Sequence, residues 1–109
     1  MREVITKHTL IKKLAEELAY LQIRADWWYY VSNINDKEKQ EMSSNELEYV
    51  HELRCIAQSL GILKEVYDEA YKIYDFRNSG KKDHVPDIEL IKKLDTEFCE
   101  PMKKSRLVF

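Results

Sequence analysis

The sequence predicts an all-α protein: a small helical bundle built on a long antiparallel helical hairpin, with a short C-terminal helix. Three observations predict it. Glycine and proline number two each in 109 residues, too few for the turns of an all-β chain, whereas 44% hydrophobic residues are too many for a disordered one. Apolar residues recur at alternating intervals of three and four along two long segments, which is the spacing of one helix face. Polar, turn-forming stretches separate those segments. The length fits a single helical domain, 1–109, with a modest core.

The first helix is expected over about 6–32. Ile11, Leu14, Leu18, Leu21, Ala25 and Trp28 form one narrow seam, and Thr6 or Thr9 can cap its start. The polar run NINDKEKQEMSSN, 33–45, has no apolar period and reads as a loop. Ser43 followed by Glu46 matches a capping box and starts the second helix near residue 44. Tyr49, Leu53, Ile56, Leu60, Leu63, Tyr67, Ala70 and Tyr74 then continue the alternation to residue 76, straight across Gly61. This is either one long helix or two broken at Gly61. A helical glycine costs only ~1 kcal/mol, so continuity is tolerable. RNSGKKDHVP, 77–86, is a loop, with Gly80 suited to a helix C-cap. Asp87 caps a last helix, 87–99, that buries Ile88, Ile91, Leu94 and Phe98 and ends before Pro101. The tail, 100–109, is basic and then apolar.

The first helix ends in RADWWYYVSN, 24–33, with four consecutive aromatic residues. At 100° per residue they cannot all face one core. With Trp27 set at 0°, Tyr20, Ile23 and Val31 fall within about 40° of it and Tyr30 at about 300°, opposite the seam. Either the last helix or a second subunit covers this stripe, or it is a partner surface. The last helix is short, so Tyr20, Ile23, Trp27, Tyr30 and Val31 are the candidate partner-binding residues.

Catalytic signatures are sparse. The chain has no G-x-S-x-G, P-loop or G-x-G-x-x-G, and two glycines cannot build a phosphate cradle. Glu48, His51 and Cys55 share helical spacing, but one E-x-x-H without further ligands does not make a metal site. No cofactor, metal or catalytic set is expected. Net charge is −2, so nothing in the whole-chain charge recruits nucleic acid or an anionic membrane, although residues 43–76 carry three bases against seven acids. No stretch reaches the length of a membrane span, and the N-terminus lacks a signal-peptide core. Cys55 and Cys99 read as free thiols of a cytoplasmic protein.

These features predict a small non-enzymatic protein-protein interaction module of adaptor or inhibitor type. Its partner is another protein or a second copy in a homodimer. An inhibitor of a host or defence protein, carried by a phage or mobile element, is one concrete version, suggested by size and a Lys-, Ile-, Tyr- and Asn-rich composition. Two alternatives exist. Residues 53–70 place Ala57, Gly61 and Ile62 where a helix-turn-helix DNA-binding regulator wants a small residue, a turn glycine and an apolar residue, with Tyr67 and Ala70 in later buried positions. Arg77-Asn78 followed by His84 resembles the R-[NDH]-x(4–6)-H signature of HEPN-type helical domains. That resemblance implies a dimeric ribonuclease with Arg77 and His84 at the scissile phosphate. It covers eight residues, Gly80 puts it in a loop, and no Tyr follows His84. A basic loop is the reading carried forward.

Overall fold

The first helix lies at the centre, and every other element packs around it. The structure is a computed structural model describing residues 6–106, with side chains to Lys104. Helix α1 spans Lys7–Asp26 and is capped by Thr6, whose hydroxyl accepts from the Thr9 amide at 3.1 Å. It continues into a π-helical turn, Trp27–Val31. Helix α2 spans Asp36–Ser59, α3 Leu63–Ile73 and α4 Ile88–Leu94. Helix α4 passes through a second π-helical stretch, Asp95–Cys99, into α5, Glu100–Arg106. Among the described residues there is no strand.

The predicted α1 seam is present: Ile11, Leu18, Leu21 and Ala25 are buried, and Leu14 packs beside them. From Leu18 to Asp26, however, every residue is buried. Helix α2 covers one side, α3 another, and the C-terminal rod a third, through α4 and the π stretch. A helix enclosed on all sides is buried all round. Tyr20 and Ile23 are therefore core residues and not an exposed partner surface; Ile23 is 0% exposed. Trp27, Tyr30 and Val31 are half-buried against the same core. The last helix does cover this stripe, through α4 and the π stretch that follows it, and α2 also packs on the Trp27–Val31 turn. The last helix runs past Pro101 to Arg106, and residues 107–109 of the apolar tail lie outside the described residues. The π stretch ends two residues before Pro101. A proline ring in a regular helix clashes with the carbonyl four residues back, and a widened turn relieves that clash.

Two further expectations are corrected. The polar run 33–45 is mostly helix. Helix α2 starts at Asp36, capped by Asn35, whose side chain accepts from the Glu38 amide at 2.9 Å, and not by the Ser43–Glu46 box. Asp36 and Glu38 also suit the positive end of the helix dipole. A mostly exposed first turn shows no apolar period, so periodicity missed it.

The second segment breaks at Gly61. Gly61 has φ +71°, its amide bonds the Gln58 carbonyl at 3.1 Å, and the Ile62 amide bonds the Ala57 carbonyl at 3.0 Å. This is the paired closure of a Schellman motif, with Ile62 and Ala57 both buried beside it. The break splits the Tyr49–Tyr74 seam. On α3, Val66 and Ala70 are buried, and Tyr74, just past its end, is too. On α2 the buried line is Ser43, Val50 and Ala57, whereas Tyr49, Ile56 and Leu60 face outward.

Candidate functional site

Three polar side chains, Gln22, Arg24 and Asp26, stand on the buried part of α1, and each has a partner. The Asp26 carboxylate accepts from Gln22 Nε2 at 3.2 Å, from the Tyr74 hydroxyl at 2.5 Å and from Ser79 Oγ at 2.6 Å. These bonds tie α1 to the end of α3 and to the following loop. Burial, reinforced by the hydrogen bond to Asp26, pushes the Tyr74 phenol far above its ordinary range, so it remains a neutral donor. The Gly80 amide donates to Tyr30 Oη at 3.1 Å and fixes the same loop to the π turn.

On another side of α1, Arg24 Nη1 meets Asp95 Oδ1 at 2.6 Å, with both side chains largely buried. The guanidinium lies 4.8 Å from the Trp27 ring centroid and 5.4 Å from that of Trp28. The two indoles meet edge to face. So WWYY divides by role. Trp27 and Trp28 sheathe the buried cation. Tyr30 braces the 77–80 loop, and Tyr29 is the exposed member of the four.

Helix α2 lies along α1 with a concave surface on each flank. With Val50 at 0°, Ser43 and Ala57 fall within about 20°, Gln40, Ser44 and Leu47 at about 60–120°, and Tyr49, Leu53, Ile56 and Leu60 at about 240–300°. On the first flank a cleft of about 420 Å³ has Asp26 and Gln22 among its lining, faced by Gln40, Ser43 and Ser44. On the second a groove of about 410 Å³ combines Tyr20, Leu21, Tyr49, Leu53 and Ile56 with three carboxylates, Glu17, Glu46 and Glu52. Burial raises the Glu46 carboxyl above the usual range, against the opposing pull of Arg24 and Lys103. Beside the groove Tyr49 is 59% exposed, Ile56 50% and Leu60 53%. With Leu53, which is half-buried against the core, they hold the i, i+4, i+7, i+11 spacing of a helix-pairing seam, and Tyr49, Ile56 and Leu60 stay exposed among the described residues.

The remaining sequence candidates are placed as follows. His51 Nε2 stands 3.8 Å from the Cys55 thiol on the exposed face of α2, and no group of three His, Cys, Asp or Glu residues among the described residues is arranged to hold a metal. Arg77 is engaged by Asp75 through two side-chain hydrogen bonds, at 2.8 and 2.6 Å, and lies over Tyr71; the pair holds the Asp75 carboxyl down at about 2. His84 packs against Tyr30. Neither is on a helix. The turn that a helix-turn-helix needs does exist at Gly61. Helix α3 exposes Lys64 and Lys72 together with Glu65 and Asp68. No helix among the described residues is long and apolar enough to cross a membrane.

The two thiols differ in a way that chemistry can read. Cys55 is exposed; Cys99 is buried, and burial pushes its thiol up to about 12. A thiol reagent at pH 8 is expected to label one equivalent of Cys55 in the folded protein and the second only in denaturant. Mass spectrometry of the labelled peptides checks it. Fast labelling of Cys99 in the native state would contradict its burial.

No family model matches the chain, and no curated protein or solved structure shows significant similarity to it.

Proposed function

We propose that the protein is a small non-enzymatic protein-binding module, of adaptor or inhibitor type, that receives a basic amphipathic helix of its partner along α2. The observation that carries this is the exposed line of Tyr49, Ile56 and Leu60 beside a groove whose wall includes the half-buried Leu53. Contiguous apolar surface with a polar rim marks interaction sites, and an apolar helical stripe fits a helix laid in a groove. The rim chooses the partner. Glu46 and Glu52 border the groove and favour lysine or arginine flanking the incoming apolar stripe. A second copy of this chain would set acid against acid. In this reading the partner lies along α2, with Tyr20 of α1 in the groove wall.

The test is affinity for a partner recovered from the native host. Tyr49→Ala and Ile56→Ala are each expected to cost ~2 kcal/mol or more of binding, about thirtyfold, with melting temperatures near wild type. Val85, 86% exposed, lies off this seam, so Val85→Ala is the control. Binding is also expected to weaken with added salt, because its charge steering is screened. Undiminished affinity in both α2 variants would remove the reading.

The turn at Gly61 supports one second reading, a DNA-binding regulator with α3 in the major groove. The acids on the outward face of α3 oppose it. Salt-sensitive binding to random duplex DNA, lost in Lys64→Ala and Lys72→Ala, would favour the regulator over the module.

A further inference from the structure

We propose that the cleft floored by Asp26 is a binding site for an alkylammonium group. The proposal is independent of the partner helix on the opposite flank of α2. Its basis is a buried carboxylate with no ion-pair partner among the described residues. Asp26 is 5% exposed, and all three of its hydrogen-bond donors are neutral: an amide and two hydroxyls. Among the described residues no Lys, Arg or His nitrogen pairs with it. A buried carboxylate is costly unless an opposite charge accompanies it. Arg24, two residues earlier on the same helix, has such a partner in Asp95; Asp26 has none.

The carboxylate also has capacity left. Its two oxygens offer about four acceptor positions. Oδ2 takes Tyr74 and Ser79, while Oδ1 takes Gln22 alone. An ammonium brings three donors. One suits the remaining position on Oδ1, and Gln40, Ser43 and Ser44 add polar side chains to the lining of the same cleft. Tyr29, Tyr30 and Phe76 complete the lining with aromatic rings, whose faces attract cations. At about 420 Å³ the cleft has room for a ligand with a short alkyl chain.

The same chemistry is available from a free amine or from a lysine side chain. The experiment is an amide NMR titration of the whole protein with butylammonium chloride, with n-butanol as the neutral isostere and sodium chloride as the ionic-strength control. Saturable shifts are expected at Gln22, Asp26, Tyr30 and Ser79, at least tenfold weaker with butanol and absent in Asp26→Asn. If Asp26→Asn fails to fold, Ser44→Phe, which narrows the cleft from α2 and leaves Asp26 in place, is expected to abolish the same shifts. A parallel titration with Nα-acetyl-lysine methylamide separates the sources: tighter binding than butylammonium points to a lysine of a polypeptide, and weaker binding to a free amine. The proposal is overturned by the absence of saturable shifts with both amines. Equal response to butanol overturns it too, as does undiminished binding in either folded variant.

Discussion

Replacing Arg24 with alanine is expected to destabilise the protein by about 3–5 kcal/mol, the cost of breaking a buried ion pair by removing one partner. Arg24 and Asp95 join α1 to the C-terminal rod at 2.6 Å, and both side chains are largely buried. The substitution strands the Asp95 charge and removes the cation from between Trp27 and Trp28. Asp95→Ala is expected to be comparably harmful. The double variant Arg24→Ala/Asp95→Ala is expected to lose much less than the sum of the two single changes, because it leaves no stranded charge. Denaturant melts of the four proteins close a double-mutant cycle. Additive effects would show that the pair is uncoupled and that the rod is held by packing alone.

Ile23→Ala is expected to cost about 2–5 kcal/mol, the range for deleting a buried Ile or Leu side chain. Ile23 is fully buried where α1 is enclosed on every side. The contrast with Ile56 is the informative part. The two isoleucines are chemically identical, yet Ile56→Ala is expected to change stability by no more than about 0.5 kcal/mol, as exposed substitutions do. Melts showing equal losses would mean that one of the two faces is assigned wrongly. Trp27→Ala is expected to fall on the stability side with Ile23, since its ring covers the Arg24 guanidinium.

Much of this fold is legible in the sequence, and each failure has a physical cause. The α1 seam, the Thr6 and Asp87 caps and the 77–86 loop follow from local chemistry, and local chemistry formed them. The break at Gly61 was readable as an alternative. The motif that decides it, Ala57 and Gln58 carbonyls closed by Ile62 and Gly61 amides, depends on a left-handed glycine that periodicity ignores. The α2 seam misled because it is a genuine stripe facing outward. Helical spacing reports that a face is apolar, not what covers it. The reverse error falls on Tyr20 and Ile23: a short last helix with about four apolar residues reads as too small to cover them, yet α4, the π stretch and α2 together do.

Asp26 and Arg24 carried a signal that was missed. Charged residues inside a run as apolar as Leu18–Val31 must find buried partners. Those partners, Tyr74, Ser79 and Asp95, stand 48 to 71 positions away, where no local pattern points to them.

Site-specific photo-crosslinking tests the central claim most directly, because it reads where the partner sits. A benzoylphenylalanine placed at Ile56, on the exposed line of α2, is compared with one at Tyr29, the exposed member of the WWYY run. Irradiated in native host lysate, the Ile56 probe is expected to give one dominant adduct, mapping to a partner helix whose apolar stripe is flanked by lysine or arginine. The Tyr29 probe is expected to give none. Adducts from Tyr29 with a silent Ile56 would return the interface to the aromatic turn of α1 and contradict the account.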